Sequence, residues 1–279
     1  MKNYLQYGRR QAAIATFAAL FIAFFGLTQQ ATAQTKYDFA IAGTWVTSEN
    51  CNDLTAISGV EGTVRYDANT KTLFLKNAKI DGKGANAIYS KLEGLTLRLA
   101  GKNEMRSDYI STIQFIEPMT IAGSGSLDVV CTNGDAIYAN CTNLTIDACT
   151  VNARGTNYGI VGEDGRNDEK LTIKYATVTA EGTKRGSIRD FASLTLIGCN
   201  ITQPAGAEFN AAKHCVMNNG EMVKSKVVIT KDPTAIQTPT NTDTAQQGVF
   251  SIDGRRLSND WNRLPKGIYI VNGKKMAKQ

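Results

Sequence analysis

The stretch Leu144-Thr145-Ile146-Asp147-Ala148-Cys149-Thr150-Val151 sets a pattern that recurs along much of the chain. The related runs are Leu73-Phe74-Leu75, Leu95-Thr96-Leu97, Met119-Thr120-Ile121, Leu171-Thr172-Ile173 and Leu194-Thr195-Leu196. Successive units begin 22, 24, 25, 27 and 23 residues apart. A period in the twenties is typical of a stacked array, because one such unit cannot bury its apolar face alone.

Each unit contains three apolar runs in which buried and exposed positions alternate with the period of a β-strand. The first run recurs as Ala87–Ser90, Thr112–Phe115, Ala136–Ala139, Gly159–Gly162 and Ser187–Asp190. The second is the Leu-Thr-Ile run. The third is a Val or Ile seven residues after its leucine, at Ile80, Val151, Val178 and Ile201, and it slips by one to Leu127 in the unit that begins at Met119. Three short strands per coil predict an all-β protein, a right-handed parallel β-helix of about five to six coils.

The alternation also predicts which side chains point inward. Leu144 and Ile146 should face the core, whereas Thr145 should face outward. Cys149 and Cys199 occupy the same place in units that are two coils apart, so about 10 Å should separate their sulfur atoms, beyond disulfide reach. We expect both to be buried free thiols, and the pairing of Cys131 with Cys141 stays open.

Residues 1–33 are typical of a secretory signal peptide. Arg9-Arg10 precedes the apolar run Ala12–Leu27, and Ala31-Thr32-Ala33 predicts cleavage between Ala33 and Gln34. The apolar run is short for a bilayer span of roughly 20 residues, so we expect no membrane span after processing. The segment holds three of the 31 bases and none of the 25 acids, which lowers the net charge from +6 to +3. So balanced a chain is not expected to bind nucleic acid.

The remaining chain divides into four parts. Residues 34–72 contain two hairpin patterns and predict an N-terminal β-hairpin cap, which an array needs to cover its first open edge. Residues 73–231 are the predicted β-helix. Residues 232–247 have the composition of a linker, and residues 248–279, with Asp253-Gly254 and Asn272-Gly273, predict a small β module.

Two families resemble parts of this sequence. Tyr37-Asp38, Gly62-Thr63-Val64 with Tyr66-Asp67, and the recurring apolar runs resemble exported bacterial β-helix proteins of the carbohydrate-binding-domain-containing type, whose fold is similar to that of polysaccharide lyases. Residues 248–279 resemble the C-terminal sorting modules read by the type IX secretion system of Bacteroidota, through Pro265, Gly267, Tyr269, Val271 and the basic end. The resemblances imply a polysaccharide partner, contact with the secretion machinery, and a place on the outer membrane surface or outside the cell.

The residues argue against a known catalytic centre. Gly134-Asp135-Ala136-Ile137 lies about where polygalacturonases place an acidic motif, but the acidic doublet and the histidine motif of that family are missing. His214 and Cys215 are neighbours in a strand pattern, so their side chains should point apart. We therefore assign no catalytic residue and no cofactor. Calcium is the one alternative, in a loop that holds Glu163, Asp164, Asp168 and Glu169.

Binding is the favoured chemistry. Tyr89 and Tyr138 lie in equivalent outward positions two coils apart, about 10 Å by strand spacing. Gln114 lies between them, and Arg189 continues the column. Sugar rings stack their C–H faces on aromatic rings, so these four side chains are the predicted carbohydrate-binding platform. The alternatives are exposed tyrosines without a ligand, a polysaccharide lyase or hydrolase, and an adhesin or scaffold that binds a protein.

Overall fold

The structure, a computed structural model, describes residues 34–166, 168–232, 234, 248–257, 264–271 and 274–278. The predicted signal peptide and most of the predicted linker lie outside the described residues. The chain divides into two compact units between Pro233 and Thr234. Each unit is described by itself.

The first unit begins with two antiparallel hairpins. Their elements are β1 (Lys36–Ile41), β2 (Thr44–Thr47), a short 3-10 helix (Leu54–Ala56), β3 (Val60–Asp67) and β4 (Thr72–Asp81). Strand β2 pairs with β1, and β3 pairs with β4. Because β1 and β4 continue into the parallel sheets, the two hairpins cover the first coil as the sequence predicted.

Fourteen strands, β5 to β18, stack in the coils, and a fifteenth, β19, follows them. In chain order they are β5 (Ile88–Ser90), β6 (Leu95–Ala100), β7 (Lys102–Ser107), β8 (Ser111–Phe115), β9 (Met119–Gly123), β10 (Ser126–Cys131), β11 (Asp135–Ala139), β12 (Leu144–Asp147), β13 (Thr150–Gly155), β14 (Tyr158–Val161), β15 (Lys170–Lys174), β16 (Thr177–Gly182), β17 (Gly186–Arg189), β18 (Ser193–Ile197) and β19 (Cys199–Gln203).

These strands form three faces. Face A consists of β5, β8, β11, β14 and β17, and face B of β6, β9, β12, β15 and β18. Face C consists of β7, β10, β13 and β16, and the long strand β4 pairs with both β6 and β7. Neighbouring strands within each face pair in parallel. The predicted parallel β-helix is therefore confirmed, as a β-solenoid.

The core follows the predicted aliphatic columns. Leu95, Met119, Leu144 and Leu171 are in register on face B, and all four are buried. Leu194 continues the column but is only half-buried, because β18 is the last strand of its sheet. Within each strand the residue that follows the column residue, such as Thr145 after Leu144, faces outward.

The third run departs from the predicted register at both ends. Val151 aligns with Leu127 and Val178, as expected. Ile80, however, aligns with Met105, which lies two residues after Asn103, the residue of β7 that aligns with Leu127. At the other end, Ile201 does not stack on the preceding coil. The returning strand β23 enters between β16 and β19 and pairs antiparallel with both, so it takes the place that β19 would have filled.

The last strands of this unit are β20 (Glu208–Asn210), β21 (Cys215–Asn218), β22 (Glu221–Met222) and β23 (Val227–Lys231). Strand β21 pairs with β17 and with β20, which covers the end of face A. With β23 placed beside β16, two of the three faces are closed at this end.

Asn103 is a polar residue in the core that the apolar pattern did not predict. It is fully buried, in the column of Leu127 and Val151. Its Oδ1 accepts a hydrogen bond from the backbone N–H of Ala78 at 2.9 Å. Its Nδ2 donates to the carbonyl oxygens of Ala100 and Ser126, at 3.2 and 3.0 Å. Asn103 thus satisfies backbone groups at the junction between faces B and C.

Replacing Asn103 by leucine should lower the free energy of unfolding by about 2 kcal/mol, because the buried N–H of Ala78 loses its acceptor. Urea denaturation of the purified chain measures this change. Leucine matches the aliphatic residues of the column, so lost hydrogen bonds rather than lost volume would cause the effect. A variant as stable as the wild type would show that these bonds contribute nothing.

None of the six cysteines, all of which lie in the described ranges, forms a disulfide. Cys149 and Cys199 are buried as predicted, and their thiols donate to the carbonyl oxygens of Ile121 and Ile173. Burial raises the pKa of the Cys149 thiol to about 12 and also raises the pKa of Cys199. Both thiols therefore remain protonated and inert at neutral pH. The pair left open by the sequence, Cys131 and Cys141, is not bonded.

The second unit contains a small antiparallel sheet. Its strands are β24 (Val249–Ser251), β25 (Gly267–Val271) and β26 (Lys274–Lys278). The basic end of the module forms the third strand and pairs with β25. The hydroxyl of Tyr269 donates to the carbonyl oxygen of Pro265 at 2.7 Å. The predicted Asn272-Gly273 turn lies outside the described residues.

Candidate functional site

Face A places three of the predicted platform residues in one row. Tyr89 of β5 pairs with Gln114 of β8, which pairs with Tyr138 of β11. All three side chains are half-buried. Parallel strands lie about 4.8 Å apart, so about 10 Å separates the two tyrosine positions along the solenoid axis.

The local sequence explains why these side chains point outward. In β8 and β11 the flanking residues Ile113 and Ile137 are fully buried, so the next residue in each strand must face away from the core. The strand backbones are occupied by ladder hydrogen bonds. A ligand on face A would therefore contact side chains rather than backbone groups.

The cap extends this row by one aromatic residue that the sequence analysis missed. Ala40 of β1 pairs with Tyr89, and Trp45 of β2 pairs with Ala40. Because the alanine between them is small, the rings of Trp45 and Tyr89 approach to 6.3 Å between centroids, at an interplanar angle of 78°. We call Trp45, Tyr89, Gln114 and Tyr138 the aromatic column.

Lysine side chains flank the beginning of the aromatic column. The Nζ of Lys36 lies 3.7 Å from the Trp45 ring centroid, and the Nζ of Lys91 lies 5.8 Å from that of Tyr89. These are cation–π contacts, which help to fix the rings in place. The ammonium groups also place hydrogen-bond donors beside the two rings.

The other end of the row is less open to a ligand. Val161, which is buried, separates Tyr138 from Arg189 in the register. The Nε of Arg189 donates to Oδ1 of Asp190 at 3.0 Å, and its Nη1 donates to the carbonyl oxygen of Arg185 at 3.3 Å. Arg189 thus continues the column as predicted in position, but its guanidinium already binds groups of this chain.

In the acidic loop, the carboxylate of Glu169 accepts hydrogen bonds from backbone N–H groups of the same loop. Glu169 is fully buried, and its two carboxylate oxygens accept from the N–H groups of Glu163 and Gly165 at 3.2 and 2.7 Å. Asp164 accepts from the N–H of Arg166, and Asp168 is exposed. Over the residues that the structure describes, no group of three or more His, Cys, Asp or Glu side chains is arranged to bind a metal ion.

Two further groups bear on catalysis. Burial raises the pKa of the Cys215 thiol, the opposite of what a nucleophilic thiolate requires. Burial also raises the pKa of Asp135, whose Oδ2 accepts from the Ser111 hydroxyl at 3.1 Å. Its Oδ1 is shielded from solvent and has no hydrogen-bond partner among the described groups.

A concavity on face C was not predicted. Its volume is about 840 Å³, and charged side chains of β7, β13 and β16 line it, among them Glu104, Arg106, Arg154 and Glu181. The signal was present in the sequence, because these charges alternate with buried residues such as Met105 and Ala153. The predicted core columns use only the apolar half of that alternation.

Fold and surface together define this chain as a β-solenoid protein with an aromatic column on one face and a concavity lined by charged side chains on another. Comparison with protein-family models, curated proteins and solved structures finds no match for the chain. Within the described ranges, no helix is both long and apolar enough to span a membrane.

Proposed function

We propose that this protein is exported and binds an extended glycan, without cleaving it, through the aromatic column of face A. The observation that carries the proposal is the register of Tyr89, Gln114 and Tyr138 on three successive strands. Such a row repeats along the axis of the solenoid, as the units of an extended polysaccharide repeat along its chain. Tyrosine rings would stack on sugar C–H faces, and the amide of Gln114 would bond hydroxyl groups between them.

Export and surface location belong to the same proposal. The apolar segment before Ala33-Gln34 supports secretion, and the Pro265, Gly267, Tyr269 and Val271 pattern supports recognition by the type IX machinery. The antiparallel sheet that carries this pattern is a separate unit, which is consistent with a sorting role. A protein placed outside the cell would meet polysaccharides directly.

A glycan array tests the proposal. The chain from Gln34 to Gln279 is applied to immobilised polysaccharides, with and without calcium. We expect retention on at least one extended polysaccharide, independent of calcium. The same mixtures are assayed for new reducing ends and for the ultraviolet absorbance of unsaturated uronates, and we expect neither. An array without retention, or release of products, would contradict the proposal.

A further inference from the structure

The outward side of face C forms a second site, separate from the aromatic column. The concavity of about 840 Å³ runs across β4, β7, β10, β13 and β16. At one end Gly59 and Glu61 line it, and at the other end Lys226 does. A surface that runs across five successive strands suits a ligand that is extended along the axis of the solenoid. We call it the charged groove.

The register places two carboxylates next to each other in the charged groove. Glu104 of β7 pairs directly with Asp128 of β10, and both are exposed. Like charges directly opposite on neighbouring strands destabilise a sheet. The Nδ2 of Asn152 donates to Oδ1 of Asp128 at 2.6 Å, which orients one carboxylate without neutralising it.

A second row of side chains runs beside the row of Glu104 and Asp128, two residues further along each strand, and it contains two arginines. Arg106 pairs with Val130, and Val130 pairs with Arg154. The arginine positions are therefore two strand spacings apart, about 10 Å, with an apolar side chain between them. Both arginines are exposed.

Oppositely charged residues are register neighbours in the groove, with Lys79 beside Glu104, Asp81 beside Arg106 and Glu181 beside Arg154, but their charged atoms are not within ion-pair distance. The ion pairs in the described part of the chain are Arg166 with Asp164 and Arg189 with Asp190, and neither lies in the groove. Side chains of both signs thus stand beside each other at strand spacing without a direct contact within ion-pair distance. A ligand with positive and negative groups could pair its positive groups with the carboxylates and its negative groups with the arginines.

We propose that the charged groove binds a zwitterionic polysaccharide, a chain with both ammonium and carboxylate groups. An ammonium group would lie between Glu104 and Asp128, where it would neutralise two adjacent carboxylates. Carboxylate groups would bond the guanidinium forks of Arg106 and Arg154, whose planar geometry matches a carboxylate. This site goes beyond the proposed function, because it uses another face and selects ligands by charge.

Four soluble polymers with the same β-1,4-linked backbone separate the alternatives. Carboxymethyl chitosan carries amines and carboxylates, carboxymethyl cellulose only carboxylates, chitosan only amines, and hydroxyethyl cellulose neither. Surface plasmon resonance measures the binding of the chain from Gln34 to Gln279 to each, at about pH 5.5, where Asp and Glu side chains are ionised. We expect carboxymethyl chitosan to bind at least tenfold more tightly than the other three, and 1 M salt to remove that preference.

Two double variants locate the binding. E104Q/D128N and R106Q/R154Q should each weaken binding of carboxymethyl chitosan at least tenfold. The matched control D147N/K174Q removes one charge of each sign from neighbouring strands of face B and should bind as the wild type does. Equal binding of all four polymers, a preference for a polymer of one sign, or wild-type binding by either groove variant would overturn the proposal. Loss of binding in Y89A/Y138A would also overturn it, because it would move the site to face A.

Discussion

Replacing Tyr89 and Tyr138 together by alanine should weaken glycan binding roughly a hundredfold. Each ring contributes about 1.5 kcal/mol when it stacks on an apolar surface. Two rings then contribute about 3 kcal/mol, which corresponds to about two orders of magnitude in the dissociation constant. Calorimetric titration with a glycan retained on the array measures the change. Both side chains are half-buried on the solenoid surface, so the variant should keep its fold.

Matched variants separate stacking from other effects. Y89F/Y138F keeps both rings and loses both hydroxyls, so we expect binding within a few-fold of the wild type. T120A/T172A changes two outward residues of face B, on strands that are separated by β12, and should have no effect. Wild-type affinity in Y89A/Y138A would show that the glycan does not bind to the aromatic column.

Replacing Leu144 by alanine should lower the free energy of unfolding by about 3 kcal/mol. Leu144 is fully buried in the central coil, and its column neighbours Met119 and Leu171 are buried as well. The coils above and below cannot collapse onto the space, because each strand is fixed by two parallel neighbours. Urea denaturation followed by circular dichroism gives the free energy of unfolding.

Position along the column should set the size of this effect. Leu194 occupies the same column in the last coil, where it is half-buried, so its replacement by alanine should cost about 1 kcal/mol. Thr145 neighbours Leu144 but faces outward, and its replacement should change stability by less than about 0.5 kcal/mol. Equal losses at Leu144 and Thr145 would contradict the inward and outward assignment.

The alternation of apolar residues was sufficient to predict the coils and the row on face A. Once Ile88, Ile113 and Ile137 are assigned to the core, Tyr89, Gln114 and Tyr138 must follow one another on successive strands. The inward orientation of Cys149 and Cys199 follows instead from repeat position, because the buried Ala78 and Ala176 hold the same place in other units.

Other features depend on information that the alternation does not carry. Strand β7 was missed because Asn103, a polar residue, stands at a core position and interrupts the apolar pattern. Trp45 joins the aromatic column only because β1 pairs with β5 on one side and β2 on the other, a choice of partner that local sequence does not determine. The insertion of β23 beside β16 is a long-range pairing of the same kind.

The charged groove was missed for a different reason. Glu104, Arg106 and Arg154 occupy ordinary outward positions, and charged residues at such positions are usually solvated. Whether they pair with one another depends on side-chain conformation, and whether they line a concavity depends on the ends of the solenoid. Neither property is visible in the spacing of residues.

A series of oligosaccharides of increasing length, prepared from a glycan retained on the array, tests the aromatic column most directly. Titration calorimetry gives the dissociation constant for each length. We predict that affinity rises until the oligosaccharide spans the aromatic column from Trp45 to Tyr138, four strand spacings or about 19 Å, and then levels off. The rise should disappear in Y89A/Y138A. A monosaccharide that binds as tightly as the polymer, or a rise that persists in the variant, would contradict binding of an extended chain along face A.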